Sequence, residues 1–188
     1  MRRTEDISLS DEVILKQFRK NRREGFRLIY EKYADRLFTV CRRYSVDDQE
    51  AKDSLHESML KVFDRLKTFN FEGEGSLYKW ITRLTINLIL DKKKSIRRQA
   101  KALSLYNEVD FTEPDADQVE VLSIEEVEKL VEKLSPIRKV VFYLYFFEGY
   151  SHKEIAELLG ITENGSSSTL SKAKKDMAEL LCFHIREE

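Results

Sequence analysis

Apolar residues recur at intervals of three and four along most of the chain, which is the spacing of an amphipathic α-helix. The clearest stripe is formed by Phe26, Ile29, Tyr33, Leu37 and Val40. The chain holds only 6 Gly and 2 Pro, which argues against a turn-rich all-β protein. The pattern therefore predicts an all-α fold.

Cap residues and glycines mark the ends of the predicted helices. Asp47 and Glu50 have the spacing of a capping box, in which two side chains satisfy backbone N–H groups at a helix start. The segment 68–76 contains two glycines and breaks the helical period, so it is predicted as a loop. The first half of the chain is thus predicted to form four helices with a common core, at about 8–20, 24–44, 47–66 and 76–99.

Charge is unevenly distributed, although 33 basic and 34 acidic residues give a net charge of only −1. Residues 92–101 hold six Lys or Arg and no acid, whereas 102–128 hold nine Asp or Glu and no base. Such single-sign blocks are usually solvated, and the acidic one predicts a flexible linker. We therefore predict two small helical domains and the acidic linker between them, with bounds 1–102, 103–122 and 123–188.

Several functional classes are disfavoured. No apolar run reaches the roughly 18 residues of a membrane span, and the N-terminal residues lead into no signal-peptide core, so we expect a cytoplasmic protein with no membrane insertion. Cys41 and Cys182 fit free thiols in a reducing compartment. The three His have no metal-like spacing and no phosphate-binding Gly loop occurs, so we expect neither an enzyme nor a cofactor.

The strongest local signal begins at Ser151. Ser151 and Glu154 form a capping box, Ala156 is small where a second helix must approach closely, and Gly160 lies where a tight turn is needed. Thr162 then caps a further helix. This pattern predicts a helix-turn-helix whose second helix enters a DNA major groove. A plain helical hairpin shares the apolar spacing and remains an alternative.

Aromatic and basic residues alternate in the predicted fourth helix and before it. Aromatic faces stack on unpaired bases while cations follow phosphates, and an amide such as Asn87 reads a base edge. This pattern predicts a second nucleic-acid site. Trp80 is also in phase with Leu77 and Leu84, and for this residue alone a core position is the favoured alternative.

Taken together, three segments resemble the extracytoplasmic-function sigma factors of the main bacterial sigma family. FRLIYEKYADRLFTVCRRY, followed by EAKDSLHESMLKVF, is similar to region two of that family. GSLYKWITRLTINLILD resembles its promoter-melting part, and LSPIRKVVFYLYFFEGYSHKEIAELLGIT resembles region four. The resemblance covers 22–100 and 123–182, which is most of the chain.

The resemblance implies a subunit that binds core RNA polymerase, recognises promoter DNA and melts its minus-ten element without hydrolysing anything. Region two would bind the clamp helices of the large subunit and region four the flap, and an anti-sigma factor would control both. The polymerase-binding residues implied are Asp53, His56 and Glu57. The minus-ten residues are Phe71, Tyr78, Lys79, Trp80, Arg83, Asn87, Lys92, Lys93, Arg97 and Arg98, among which Phe71 and Asn87 match the pocket for a flipped base.

The helix that should read the minus-thirty-five element departs from the family pattern. Four Lys face five acids across 151–182, and hydroxyls discriminate bases weakly compared with a bidentate Arg. One hypothesis is that this helix reads the minus-thirty-five element weakly, and that a DNA-bound targeting partner helps to recruit the protein to promoters. The alternative is that the helix reads a merely different promoter sequence. The candidate DNA contacts are Ser166, Ser167, Ser168, Thr169, Lys172, Lys174 and Lys175.

A different class of protein also remains open. A stand-alone helix-turn-helix transcriptional regulator would explain the motif at Ser151 but would not need the segment 47–66 with its acidic residues. Binding to core polymerase separates these two interpretations.

Overall fold

The computed structural model describes residues 9–105 and 123–184, and these residues are helical with no strand. The predicted all-α class is confirmed. The helices are α1 (Asp11–Lys20), α2 (Arg22–Tyr44), α3 (Asp48–Arg65) with a 3-10 turn (Leu66–Thr68), α4 (Ser76–Lys92), α5 (Lys94–Leu105), α6 (Ile124–Glu132), α7 (Pro136–Phe142) with a π-helical turn (Tyr143–Phe147), α8 (His152–Leu159) and α9 (Glu163–His184). None of these described helices combines the length and hydropathy that a membrane crossing requires.

The chain divides into two compact units, one ending at Lys92 and the other beginning at Lys93. The predicted helix 76–99 is interrupted at this point. Its last part belongs to α5, which buries Ile96 and Ala100, four positions apart, in the second unit. Of the predicted linker 103–122, residues 106–122 lie outside the described residues, so the predicted domain bounds remain a prediction.

The first unit contains α1 to α4, the predicted four helices. The long helix α2 packs on α1, α3 and α4, and the centre of the core is fully buried at Ile29, Leu37, Val62 and Ile81. Gly25 lets α1 and α2 approach closely, because a Cβ there would come within 2.2 Å of the Cα of Phe18.

Cys41 is a free thiol buried in the first unit. Burial raises the pKa of this thiol to about 12, so it is an inert core residue. The side chain of Cys182 lies outside the description.

The second unit contains α5 to α9. Its core is fully buried at Val141, Leu144, Ile155 and Leu159, and α9 adds Ala173. The predicted capping box of Ser151 with Glu154 is present at the start of α8, and Ser123 with Glu126 forms another at the start of α6. Helix α7 continues directly into the π-helical turn.

Candidate nucleic-acid interface

A cavity of about 440 Å³ lies between α3 and α4 in the first unit. Trp80, Arg83 and Asn87 face it from α4, since positions 80, 83 and 87 share one side of a helix. Lys61 and Arg65, one turn apart on α3, form part of the opposite wall. We call this the base cavity; its remaining lining residues are Thr68, Leu84, Leu88 and Asp91.

The base cavity combines an aromatic ring, an amide and several cations in a space large enough for a small ligand. Trp80 and Asn87 are half-buried, whereas Arg83 is exposed. An aromatic face can stack on an unpaired base, the amide can pair with its edge, and the cations can follow the phosphates. The arrangement therefore suits a nucleotide removed from its stack.

Other predicted minus-ten residues lie elsewhere in the first unit. Phe71 is half-buried but does not line the base cavity; Phe69 packs on Trp80 instead, with 5.2 Å between ring centroids. Tyr78 faces α2, where its ring lies 5.5 Å from that of Tyr33. The guanidinium of Arg36 lies 3.8 Å from the centroid of Tyr78. Lys79 is exposed outside the cavity.

The loop between the 3-10 turn and α4 is fixed by the buried carboxylate of Asp11. One oxygen accepts hydrogen bonds from Tyr33 and from Lys32, the latter at 2.8 Å. The other accepts the backbone N–H of Gly75 at 3.0 Å. Lys32 also donates to Glu74 at 3.1 Å, and Glu74 accepts the backbone N–H of Asp11 at 2.8 Å. This network ties α1 and α2 to the loop.

Protonation equilibria follow from this network. Burial alone would raise the pKa of Asp11, but hydrogen bonds from Lys32, Tyr33 and Gly75 outweigh it and hold the pKa below its usual 3.8. Burial opposes the charge of Lys32, yet its bonds to Asp11 and Glu74 raise its pKa. The pKa of the Tyr33 phenol is raised by burial and by Asp11. The carboxylate and the ammonium therefore stay charged at neutral pH.

The three predicted polymerase-binding residues share one face of α3. Asp53 and His56 are exposed, and Asp53 accepts a hydrogen bond of 3.1 Å from Gln49. Glu57 is partly exposed and forms an ion pair with Lys92. Leu60 lies on the same face, one helical turn after His56 and Glu57, and is 55% exposed.

The predicted basic residues at the end of α4 are divided between the two units. Lys92 pairs with Glu57 in the first unit, and Lys93 begins the second. Arg97 and Arg98 lie on α5, in the second unit. Their contact with DNA remains a prediction.

The helix-turn-helix is formed by α8 and α9. Gly160 ends α8 in the left-handed conformation, with φ 70° and ψ 41°, which glycine adopts without strain. Ala156 is buried where α8 meets the rest of the unit. The hydroxyl of Thr162 accepts the backbone N–H of Gly165 at 2.9 Å and so caps α9, as the sequence indicates.

Two of the candidate DNA contacts on α9 face the interior. Ser166 is fully buried, and its hydroxyl lies 3.0 Å from Nδ1 of His152. Thr169 is buried and donates to the carbonyl of Gly165 at 2.7 Å. Because these hydroxyls already bond inside the unit, we exclude both residues from the DNA-facing set. The sequence did not indicate this, since serine and threonine rarely mark a core face.

The remaining candidates lie on the outer side of α9. Ser167, Lys174 and Lys175 are exposed, while Ser168 and Lys172 are half-buried. Ser171, which we did not predict, falls on the same side by its spacing from Ser167 and Lys174. The side of α9 that could meet DNA thus carries hydroxyls toward its start and lysines further on.

Three further residues of the first unit were missed from the sequence. Lys61, Arg65 and Leu60 all lie on α3, which we interpreted only as a polymerase-binding helix. The four-residue spacing of Lys61 and Arg65 could have indicated that both cations lie on one face of α3. In the described parts of the chain, no cluster of His, Cys, Asp or Glu is arranged to hold a metal ion.

Family models match both units. The sigma-70 region 2 model matches residues 29–101, and the sigma-70, region 4 model matches residues 124–177. Together they cover about two thirds of the chain, and they occur in the order that the sequence indicates. The chain belongs to the sigma-70 family.

Curated relatives specify the group within that family. The chain is 24% identical to the ECF RNA polymerase sigma factor SigE of Mycolicibacterium smegmatis, over 85% of this chain and 62% of that protein, so it spans less than two thirds of SigE. It is 23% identical to SigW of Bacillus subtilis, over 89% and 94% of the two chains. Within its family it is an extracytoplasmic-function sigma factor.

Solved structures agree with this fold. The sigma factor RpoE, in complex with the anti-sigma factor NepR from Bartonella quintana, superposes with a TM-score of 0.54 at 17% identity, over 84% of this chain and 97% of that one. CnrH, in complex with the cytosolic domain of CnrY, gives a TM-score of 0.53 at 17% identity, over 91% and 96%. At this identity the likeness supports the helical fold alone.

Proposed function

We propose that this sigma factor binds core RNA polymerase through the outer face of α3 and melts the minus-ten element by capturing one unpaired base in the base cavity. The observation that carries the proposal is the cavity itself, in which Trp80 and Asn87 lie opposite Lys61 and Arg65. Extrusion of a base costs a few kcal/mol. Stacking on one aromatic ring returns about 1–3 kcal/mol, which offsets much of this cost without hydrolysis.

The parts of the cavity have separate roles in this proposal. Trp80 supplies a stacking face, Asn87 pairs with the base edge, and Arg83 meets the phosphates. Fluorescence of 2-aminopurine, placed at each position of a promoter's minus-ten element, tests this directly. We expect one position to change its fluorescence on binding of the holoenzyme and to lose the change in Asn87→Ala. An unchanged signal in that variant would contradict the assignment of the cavity.

The polymerase contact is proposed for Asp53, His56 and Glu57. Pull-down of core polymerase tests it, and we expect Asp53→Ala with Glu57→Ala to lose binding. The matched control is Glu31→Ala with Asp35→Ala, because these exposed acids have the same spacing on α2. Unaltered binding by the first double variant would count against this surface. No binding by the unmodified chain would favour the stand-alone helix-turn-helix regulator.

For region four we propose weak reading of the minus-thirty-five element, contact with the polymerase flap, and help from a separate DNA-bound partner. The support is the outer side of α9, where hydroxyls such as Ser167 precede the lysines. Hydroxyls bond phosphates and distinguish bases weakly. Replacement of the minus-thirty-five sequence of a mapped promoter should change holoenzyme binding less than about tenfold, well below the several kcal/mol of a full set of base contacts. A larger loss would support ordinary reading of a different promoter sequence.

We also propose that an anti-sigma factor covers the polymerase-binding and DNA-binding surfaces in the cytoplasm. The support is the likeness of this fold to the sigma factor RpoE, which was solved in complex with the anti-sigma factor NepR. Affinity purification of the tagged chain from its own cells should recover two separate complexes, one with core polymerase and one with the anti-sigma factor. A ternary complex that still transcribes would contradict this mode of control.

A further inference from the structure

The helix α5 is assigned to one domain by its sequence and to the other by its packing. The sequence predicts a single helix over 76–99, and the sigma-70 region 2 model runs through residue 101. In the structure α5 begins at Lys94, belongs to the second unit and packs on α7, α8 and α9. Two alternative partners therefore exist for this helix.

The interruption at Lys93 has no local cause. Residues 76–105 contain neither Gly nor Pro, and the Lys, Arg, Gln, Ala and Leu of α5 are good helix formers. A helix end also leaves up to four backbone carbonyls without partners inside the helix. A joined α4 and α5 would avoid that loss, so the packing of α5 on the second unit must offset it.

The described anchor of α5 is small. Ile96 and Ala100, one turn apart, are 8% and 2% exposed and are the buried apolar side chains among those described for this helix. The stem of Lys101 lies against the turn of the helix-turn-helix, since its Cε would be 3.3 Å from a Cβ added at Gly160. Stabilisation by burial grows with the apolar area removed from water. A competing interaction of moderate strength can therefore displace α5.

Promoter DNA supplies such a competitor through charge. Arg97 and Arg98, two of the predicted minus-ten contacts, lie on α5 and are separated from α4 by the break. A joined helix would carry both arginines onward from Lys92 along the axis of α4. Because DNA phosphates attract closely spaced cations, DNA would bind the joined state more tightly than the docked one. A ligand shifts a two-state equilibrium by such a difference in affinity.

We propose that α5 changes partner during initiation. The second unit holds α5 in the free chain and in the holoenzyme, and promoter DNA transfers it to the end of α4 as one continuous helix. The docked state lowers the apparent affinity for promoters, because only the fraction of molecules with released α5 makes full contact with the minus-ten element. The inference rests on the proposed function, since it requires region two to bind promoter DNA.

A distance between two spin labels tests the transfer directly. The labels are attached through Ala102→Cys on α5 and Glu157→Cys on α8, because both positions are exposed. The full chain also carries Cys182→Ser, while Cys41 is buried and stays unlabelled. The free chain and the holoenzyme should give one short distance. Longer distances should replace it when a promoter mapped by run-off transcription is added.

Variants of α5 give a second measurement. Ile96→Gln with Ala100→Gln removes the anchor and should raise the affinity of the holoenzyme for the promoter about threefold or more, because less apolar burial opposes release. The short distance should be lost in the free chain as well. The matched control is Ser95→Gln with Ala102→Gln, at exposed positions of the same helix, and it should bind the promoter as the wild type does.

Several results would overturn the inference. They are a long distance in the free chain, a short distance kept in the promoter complex, an unchanged promoter affinity in Ile96→Gln with Ala100→Gln, or an equal rise in the control. Far-ultraviolet circular dichroism verifies that the variants keep their helices, and the distances in the labelled chain decide the question without them. A holoenzyme that binds no promoter would instead refute the proposed function.

Discussion

The carboxylate of Asp11 accepts a hydrogen bond of 3.0 Å from the backbone N–H of Gly75, 64 residues further along the chain. This bond joins the first turn of α1 to the loop that precedes α4. The loop carries Phe69 at its start and leads into α4, where Phe69 packs on Trp80 of the base cavity. A buried charge thus connects the fold of the first unit to the proposed base site.

We expect Asp11→Asn to destabilise the first unit by about 2 kcal/mol or more, because Lys32 loses its buried anionic partner. Urea unfolding followed by fluorescence of Trp80, the sole tryptophan, measures this. Glu12→Gln is the control, since its ion pair with Lys16 lies on the surface, where solvent and salt screen it. Equal stability of the two variants would contradict the role given to Asp11.

The pKa of Asp11 also predicts a pH dependence. Because this pKa is lower in the folded state than its usual 3.8, the stability from Asp11 is present above 3.8 and is lost as the pH falls through the folded value. The free energy of unfolding of the wild type should therefore fall more steeply below that pH than that of Asp11→Asn. Parallel curves of unfolding free energy against pH for the wild type and Asp11→Asn would count against the role given to this network.

Gly25→Ala should be strongly destabilising, by about 1–3 kcal/mol or more, because the added Cβ would overlap the backbone of Phe18 and α1 would have to move. Unfolding followed by Trp80 fluorescence measures this as well. The control is Gly149→Ala, which strains the second unit because Gly149 has a φ of 72°, so Trp80 in the first unit should report no change. A wild-type transition in Gly25→Ala would show that the helices are not in such close contact.

Leu60→Gln should weaken the binding of core polymerase about fivefold or more while the stability changes by less than about 0.5 kcal/mol. Leu60 is 55% exposed on the face of α3 that carries Asp53 and Glu57. Val46 is 88% exposed outside α3, so Val46→Gln is the matched control and should bind as the wild type does. Fluorescence anisotropy of labelled chain against core polymerase measures both; equal affinities would remove Leu60 from the contact surface.

His152 predicts an acid sensitivity of the second unit. Burial lowers the pKa of this imidazole below 6.5, with Glu163 and Lys174 acting in opposite directions. Its ring stacks on Tyr145 at 4.8 Å and bonds buried Ser166. Since its pKa is depressed in the folded state, its contribution to stability is full above the unfolded pKa and is lost as pH falls through the folded one.

We therefore expect the stability of the second unit to fall as the pH drops below about 6.5 and passes through the lower, folded-state pKa of His152. His152→Gln, which keeps a hydrogen-bonding group, should show a smaller fall. Far-ultraviolet circular dichroism follows both units, and Trp80 fluorescence identifies the part that belongs to the first. An identical fall in the variant would assign the effect to other groups.

Much of the helical fold could be predicted because its signals are local. Periodicity indicated the helices, and Ser151 with Glu154 forms the expected capping box. The break at Lys93 was missed because the local sequence does not show that Ile96 packs in the second unit while α4 packs in the first. Packing between distant segments decides where the helix is interrupted.

Candidate-site residues were predicted less completely, for the same reason. Trp80 and Asn87 could be identified from their spacing in one helix. The contribution of Lys61 depends on how α3 crosses α4, and the burial of Ser166 depends on the imidazole of His152. Such contacts between elements leave little trace in residue spacing.

The most direct test of the central claim is run-off transcription with core polymerase over a pool of genomic fragments, with the start sites mapped. We predict discrete start sites that require the chain and disappear with Asp53→Ala and Glu57→Ala. Transcription that is unchanged by addition of the chain, together with DNA binding in the absence of polymerase, would contradict the account.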